Sequence, residues 1–293
     1  NPETAQLDPD FAAPMDRSHG GRNGNLLLTN GIYDLTLTVQ RHERLRLRLV
    51  NVANARIFVL GLQGMEGWTV ALDGMPLETP APIEEPILLG PGQRADLIVD
   101  IVAEEGERAY VTRLGDERGE AQVTFDIRGT ASLARRGTPG ALPPNRIPDI
   151  RLDGSELVAA LDMEGGAMGR MRRATYEGEE LSFSQLAQHN QFWAFNGVVG
   201  MTETPLIEAG LGQTVRMNVI NQTSFPHAMH LHGMHFSEVG PEDRLGPLRD
   251  TLLIGGGEQR QIAFDADNPG DWLFHCHMLS HAAAGMTTWL RVA

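Results

Sequence analysis

Apolar and polar residues alternate along much of this chain. Leu45-Arg46-Leu47-Arg48-Leu49 switches between aliphatic and charged positions. Val123-Thr124-Phe125-Asp126-Ile127-Arg128 and Val215-Arg216-Met217-Asn218-Val219 alternate in the same way. Successive side chains of a strand point to opposite faces, so a period of two marks a strand with one face buried. Clusters of Gly, Pro and Asn separate these runs, as they do between strands. Helical spacing is scarce, although Leu181 to His189 has room for a turn or two. The pattern predicts an all-β protein built from sandwiches or barrels.

The alternation breaks between residues 129 and 149, where Gly129, Gly137, Pro139, Gly140, Pro143, Pro144 and Pro148 fall. Pro and Gly at that density mark a linker. The expected organisation is a domain at 23–130, a linker at 131–148 and a second domain at 149–293. Residues 1–22 lack periodicity and are expected to be a tail or a link to something upstream.

The two halves read as copies of one unit. Gly61-Leu62-Gln63-Gly64-Met65 lies over His230-Leu231-His232-Gly233-Met234. Leu89-Gly90-Pro91-Gly92-Gln93-Arg94 lies over Ile254-Gly255-Gly256-Gly257-Glu258-Gln259-Arg260, with one gap. Gly106 to Arg113 lies over Gly270 to His277, and the three blocks keep their order and approximate spacing. In this alignment Gly61 and Gln63 replace His230 and His232, while Val111, Thr112 and Arg113 replace His275, Cys276 and His277. The first half is therefore expected to be a structural copy that binds no metal.

Length and charge narrow the function. At about 150 residues per domain, 293 residues fit two domains that each bury a core. A formal charge of −14 argues against a nucleic-acid partner, since such proteins carry basic faces. The single cysteine rules out an intrachain disulfide, so bridges reveal nothing of the redox compartment. No apolar run is long enough to cross a bilayer. Asn1-Pro2-Glu3, with no initiating Met or signal peptide, reads like the middle of a longer chain.

That one cysteine sits in His275-Cys276-His277-Met278-Leu279-Ser280-His281, with Met286 five residues further on. A thiolate, two imidazoles and a long axial methionine are the donor set of a blue-copper electron-transfer site. The second histidine cluster is His227-Ala228-Met229-His230-Leu231-His232-Gly233. Strand parity sorts the donors. His230 and His232 share a face, as do His275 and His277, whereas Cys276 points away and His227 tends to its side. If the two strands are neighbours, four imidazoles gather on one face. His227 and Cys276 form a pair on the other, which His281 and Met286 can complete from the following loop.

The pattern H-C-H-x3-H-x4-M, preceded by H-x2-H-x-H-G, resembles the multicopper oxidases, the family of laccases, bilirubin oxidases and periplasmic cuprous oxidases. The resemblance covers the whole chain. Both halves look like the second and third domains of three-domain members, which implies two cupredoxin-like Greek-key sandwich or barrel domains in tandem, with the first domain absent. By motif position it implies type 1 copper on His227, Cys276, His281 and Met286, type 2 copper on His230, and the type 3 pair on His232, His275 and His277. Cys276 with His275 and His277 is then the implied electron path between the two sites. The implied reaction takes single electrons from a phenol, an aromatic amine or cuprous ion and reduces dioxygen to water. A periplasmic or secreted location is implied in the same way.

Two departures from the family pattern matter. The family's trinuclear cluster uses eight histidines, half of them from two H-x-H pairs in the first domain. The other histidines here, His19, His42, His189 and His235, form no such pair with one another. The cluster is expected only when another domain completes it, and the isolated chain is expected not to reduce oxygen. Many relatives also carry an acid just after the histidine matching His281, where this chain has Ala282 and Ala283.

Plainer readings compete. Zinc also takes Cys and His, but the distant Met and the doubled histidine pairs favour copper. Met163, Met168 and Met171 in a Gly-rich stretch form either a cuprous docking site or an ordinary loop, and three thioethers favour the loop. Asp73 and Asp250 are expected at turns or behind the ligands, His235 beyond them, and Trp272 in the core. Rival functions are a blue-copper electron-transfer or copper-binding protein without oxygen reduction, a cuprous oxidase for copper tolerance, and a metal-free structural pair. The few methionines lean toward an organic reductant.

Overall fold

The structure is a computed structural model that describes residues 4, 6, 9–11, 13–115 and 119–293. It divides into two compact units. One holds Gly24–Ala53 and Ile57–Ile147. The other holds Pro148–Ala293, Asn54–Arg56 and the described part of Asn1–Asn23.

In the first unit a five-stranded sheet runs in the order Thr36–Arg41, Gly119–Thr130, Arg108–Leu114, Phe58–Gln63, Ile87–Leu89. A four-stranded sheet runs Arg44–Val50, Arg94–Ile101, Met65–Leu72, Met75–Pro82. Leu97, Val99 and Ile101 of one sheet and Leu60, Phe125 and Ile127 of the other share one buried cluster, so the unit is a sandwich. The charged positions of the alternating run face outward. Arg44 pairs across the strands with Asp100, at 2.7 Å.

The second unit repeats this plan. Its five-stranded sheet runs Ile207–Ala209, Thr287–Val292, Gly270–Cys276, His227–Leu231, Thr251–Ile254. Its larger sheet contains Thr214–Asn221, Gln259–Asp265, Phe236–Val239 and Leu245–Arg249 in the order of the smaller sheet of the first unit, with Leu157–Gly165 and Trp193–Phe195 added at one edge. Each five-stranded sheet carries one parallel edge pair. The Gly-rich turns match as well. The Gly90 amide donates to the Gln93 side chain at 2.8 Å, and the Gly255 amide donates to Glu258 at 3.1 Å.

Strand register moves one part of the sequence alignment. Gly61 faces Thr112 where His230 faces His275, so Thr112, not Val111, matches His275, and Arg113 matches Cys276. Neither Gly61 nor Thr112 offers an imidazole or a thiolate, so no metal ligand stands at either position.

The helical turn expected near Leu181 is Phe183–Gln188. Ser182 and Gln185 close a capping box at its start. No strand or helix forms between Thr130 and Leu157. The Pro-rich stretch is instead tied down by side chains of its own unit: Arg44 donates to the Gly137 carbonyl at 2.6 Å, and Asn145 donates to that of Gly74 at 3.1 Å. Among the described residues no helix is long and apolar enough to cross a membrane.

Candidate metal centre

The site grows out of one strand pair. His227–Leu231 and Gly270–Cys276 are antiparallel neighbours, with His230 opposite His275 and Met229 opposite Cys276. On one face His230, His232, His275 and His277 gather, with ring centroids 4.7 to 5.9 Å apart. On the other, His227 and Cys276 meet His281, which the short helix Leu279–Ala282 presents. The donor atoms of these three lie within 4.8 Å of one another. The Cys276 sulfur is 3.7 Å from His227 Nδ1 and 3.8 Å from His281 Nδ1, and the two nitrogens are 3.1 Å apart. Two nitrogens at about 2.0 Å from one ion stand roughly 3 Å apart, so the spacing suits a shared metal.

Met286 is fully buried, and backbone bonds tie it to the other donors. The Cys276 amide donates to the Met286 carbonyl at 3.1 Å, and the Met286 amide donates to the His281 carbonyl at 3.0 Å. The loop therefore returns to the backbone of the cysteine it left.

Proton positions follow from the hydrogen bonds. The Asn221 amide group donates to the carbonyls of Phe225 (2.7 Å) and Gly255 (2.9 Å), which leaves its oxygen to accept. The Thr223 hydroxyl donates to that oxygen at 2.7 Å, so at 2.9 Å it accepts from His227 Nε2–H. His281 Nε2 faces the carbonyl of His19 at 2.7 Å, and a carbonyl can only accept. Both rings thus carry their proton outward and turn the Nδ1 lone pair toward the thiol. On the four-imidazole face, His275 Nδ1 donates to the Cys276 carbonyl at 2.9 Å. His230 Nδ1 donates to that of Asp250 at 3.0 Å. Their Nε2 lone pairs are left free, and His275 Nε2 lies 3.1 Å from His232 Nε2. Fixing the far nitrogen in this way is how proteins orient metal-binding histidines.

Burial keeps the imidazoles neutral. Desolvation lowers His281 and His275 to about 4, and holds His227 well below the usual range. Desolvation also pushes the Cys276 thiol up to about 12, although the Met278 and Ala228 amides pull the other way. At neutral pH the metal-free site is therefore a thiol with unprotonated imidazoles, and a bound cation must displace the thiol proton. The donor set fits copper: neutral nitrogens, a soft sulfur and a buried thioether residue in a dry pocket.

Trp193 forms the wall behind both rings. Its indole lies 5.0 Å from His227 and 4.6 Å from His281 and is fully buried. The sequence patterns gave no sign of it, or of Thr223, because neither residue is a metal ligand and neither lies within the histidine motifs. The other expected residues disperse. Met163 lies in the core, so it cannot join the exposed Met168 in a surface thioether group. Asp73 starts the Asp73-Gly74 turn with positive φ, far along the chain from the histidines. Asp250 lies beside the cluster, its carboxylate 3.5 Å from His230 and 4.0 Å from His235. Trp272, expected in the core, is half-buried. Its ring lies against Gly233, where a Cβ would come within 2.2 Å of it.

A β-sandwich with a buried His-Cys-His donor group behind a four-imidazole face defines a copper-binding class of protein. The chain belongs to the multicopper oxidase family, whose models, both described as multicopper oxidase, match residues 5–135 and 174–293. It is similar to multicopper oxidase MmcO of Mycobacterium tuberculosis, at 28% identity over 92% of this chain and 52% of that protein. Among solved structures it is similar to a multi-copper oxidase from Pseudomonas thermotolerans (27% identity, TM-score 0.77, covering 96% of this chain and 63% of that one). It is also similar to Lac15 from a marine microbial metagenome (36%, TM-score 0.67, 87% and 56%). Over 101 residues it is 37% identical to copper resistance protein A of Pseudomonas syringae pv. tomato, covering 34% of this chain and 16% of that protein. The chain spans about half the length of the first curated relatives it matches.

Replacing Thr223 by valine keeps the shape but removes the acceptor for His227 Nε2–H. The expected result is roughly a tenfold loss of copper affinity, typical for a partner behind a ligand. Competition with a chelator measures it. Unchanged affinity would mean that the hydroxyl does not orient the ring.

Proposed function

We propose that this chain carries the electron-accepting site and half of the oxygen-reducing site of a multicopper oxidase. The observation that carries the reading is the placement of Cys276 between His275 and His277, with its sulfur on one face of the strand and their rings on the other. His227, Cys276, His281 and Met286 would hold type 1 copper. His230 would serve type 2 copper, and His232, His275 and His277 the type 3 pair. Bound copper supplies one-electron redox chemistry at the first site and dioxygen reduction to water at the second.

The chain's own residues do the rest. Thr223 and the His19 carbonyl orient the two imidazoles. The apolar shell keeps water from the thiolate. The backbone on either side of Cys276 gives a route of a few bonds to His275 and His277, each one residue away. Asp250 holds His230 through its carbonyl and is the carboxylate nearest the four imidazoles among the described ion pairs.

A cluster of eight imidazoles needs four more than this face provides, so we read the partner as a further cupredoxin domain that brings two H-x-H pairs. Reductants of the phenol or aromatic amine class fit best, because the burial of Met163 leaves it out of any surface thioether group with Met168. Similarity to a copper resistance protein keeps cuprous ion as the second substrate reading. By likeness to such relatives, the location is periplasmic or secreted. A blue electron-transfer protein without oxygen chemistry is the alternative function, favoured by the half-complete histidine set.

Oxygen uptake by the copper-loaded chain tests this. The expected result is a single reduction of the chain by a phenol with no sustained oxygen consumption. Uptake should appear when a domain supplying the missing histidines is present. Sustained four-electron turnover by the chain alone would overturn the reading of a half cluster. No turnover by the whole gene product would favour the electron-transfer alternative.

A further inference from the structure

The donors of the candidate type 1 site do not touch solvent: His227, Cys276, His281 and Met286 are all fully buried. Part of what covers His281 comes from the segment that the hydrophobic pattern left as a tail. Three successive carbonyls there each accept a hydrogen bond from the copper unit. Arg17 accepts from the Trp193 indole N–H at 2.5 Å, Ser18 from the Ala167 amide at 2.8 Å, and His19 from His281 Nε2 at 2.7 Å. The first and last of these donors are the indole and imidazole whose ring centroids lie 4.6 Å apart, with their planes tilted by 44°.

The segment is shaped to come this close. Ser18 is buried, and its hydroxyl donates to the Pro14 carbonyl at 2.6 Å, closing the short helix Pro14–Ser18. That hydroxyl must then accept from His19 Nδ1–H at 2.9 Å, which fixes the His19 side chain on the Ser18 hydroxyl. Gly21 follows with φ +83°, a left-handed conformation that side chains disfavour. A Cβ at Gly21 would lie 2.5 Å from the Ala55 Cβ and 3.7 Å from His281 Nε2. The close approach therefore depends on a glycine.

We propose that residues 17–21 form a backbone clamp on His281. The His19 carbonyl selects the Nε2–H tautomer, aims the Nδ1 lone pair toward Cys276, and closes the outer ring edge to water. The clamp makes the N-terminal segment part of the metal site. It also means that a reductant meets the clamp before it meets the imidazole, so the class of reductant that fits is one that gives up an electron without coordinating His281. This last consequence rests on the copper reading above. The clamp itself does not.

The decisive measurement needs no metal and no variant. Nitrogen-15 NMR of the histidine rings in the metal-free chain should show His281 as the Nε2–H tautomer, with that proton protected from solvent exchange. A His281 proton on Nδ1, or one that exchanges freely, overturns the clamp whatever the metal. A variant extends the test. Gly21→Val lifts the segment and should expose the Nε2 proton to exchange and lower copper affinity roughly tenfold. Retention of protection and affinity in Gly21→Val overturns the proposal. If Gly21→Val does not fold, Gly21→Asn, which tolerates the left-handed region better, takes its place with the same readouts. If the chain binds no copper but shows the protected tautomer, the copper reading fails and the clamp stands.

Discussion

Cys276→Ser abolishes the intense visible absorption expected of the copper-loaded chain, and with it electron delivery to the four-imidazole face. The sulfur is the only thiol in the chain and the only soft anionic donor within 4.8 Å of His227 and His281 among the described His, Cys, Asp and Glu groups. Charge transfer from thiolate to copper needs that sulfur, and a serine hydroxyl cannot replace it. Serine is close in size to cysteine, so the sandwich survives, with a cost of about 1–3 kcal/mol for burying a hydroxyl that lacks a good partner. Absorption and electron paramagnetic resonance of the copper-loaded variant read the outcome, and circular dichroism confirms the fold. A persistent blue band would place the copper on other donors.

Acid should destabilise the metal-free chain strongly, because the site buries neutral imidazoles. Above about pH 6.5 His281 is unprotonated in both the folded and unfolded chain and contributes no pH dependence. Between there and its folded value of about 4, the unfolded chain takes up a proton that the folded chain cannot. Stability then falls by about 1.4 kcal/mol per pH unit for this ring, roughly 3 kcal/mol in all, and levels off below the folded value. His275, also lowered to about 4, acts in the same direction, and so does His227. Cys276 bounds the other side. Its thiol is raised from 9.0 to about 12, so above pH 9 the unfolded chain loses a proton that the folded chain keeps, and stability falls again. Denaturant unfolding of the metal-free chain from pH 4 to 10 measures this dome. Cys276→Ser should remove its alkaline limb alone. A profile that is flat from pH 6.5 to 4 would show that the rings are not neutral and buried. Copper raises stability most where the thiol proton is easiest to displace, so its stabilising effect grows with pH across the neutral range.

Much of this was legible in the order of residues. Alternation of period two is a direct image of strand geometry, and the runs at Leu45, Val123 and Val215 are strands in the structure. Parity alone separated Cys276 from His275 and His277, because neighbouring side chains on a strand must face opposite ways. The internal repeat predicted two units of one topology, and the two five-stranded sheets share one strand order. Its register was one residue off from Tyr110 to Arg113, because cross-strand pairing, and not the spacing of like residues along the chain, sets which positions face each other. Trp272 was expected in the core, but burial depends on what lies over a ring, and this one is only partly covered.

The sequence by itself offered the candidate donors, their faces and the metal they favour, since these follow from side-chain chemistry and the two-residue period of a strand. Only the tertiary structure decided how those donors are held. Thr223 and Trp193 lie outside both histidine motifs, and the His19 carbonyl reaches His281 across 262 positions of the chain. A backbone carbonyl has no residue identity to read. It orients a ligand only through where the fold carries it, so the clamp at the N-terminal segment could not be seen in a string of letters.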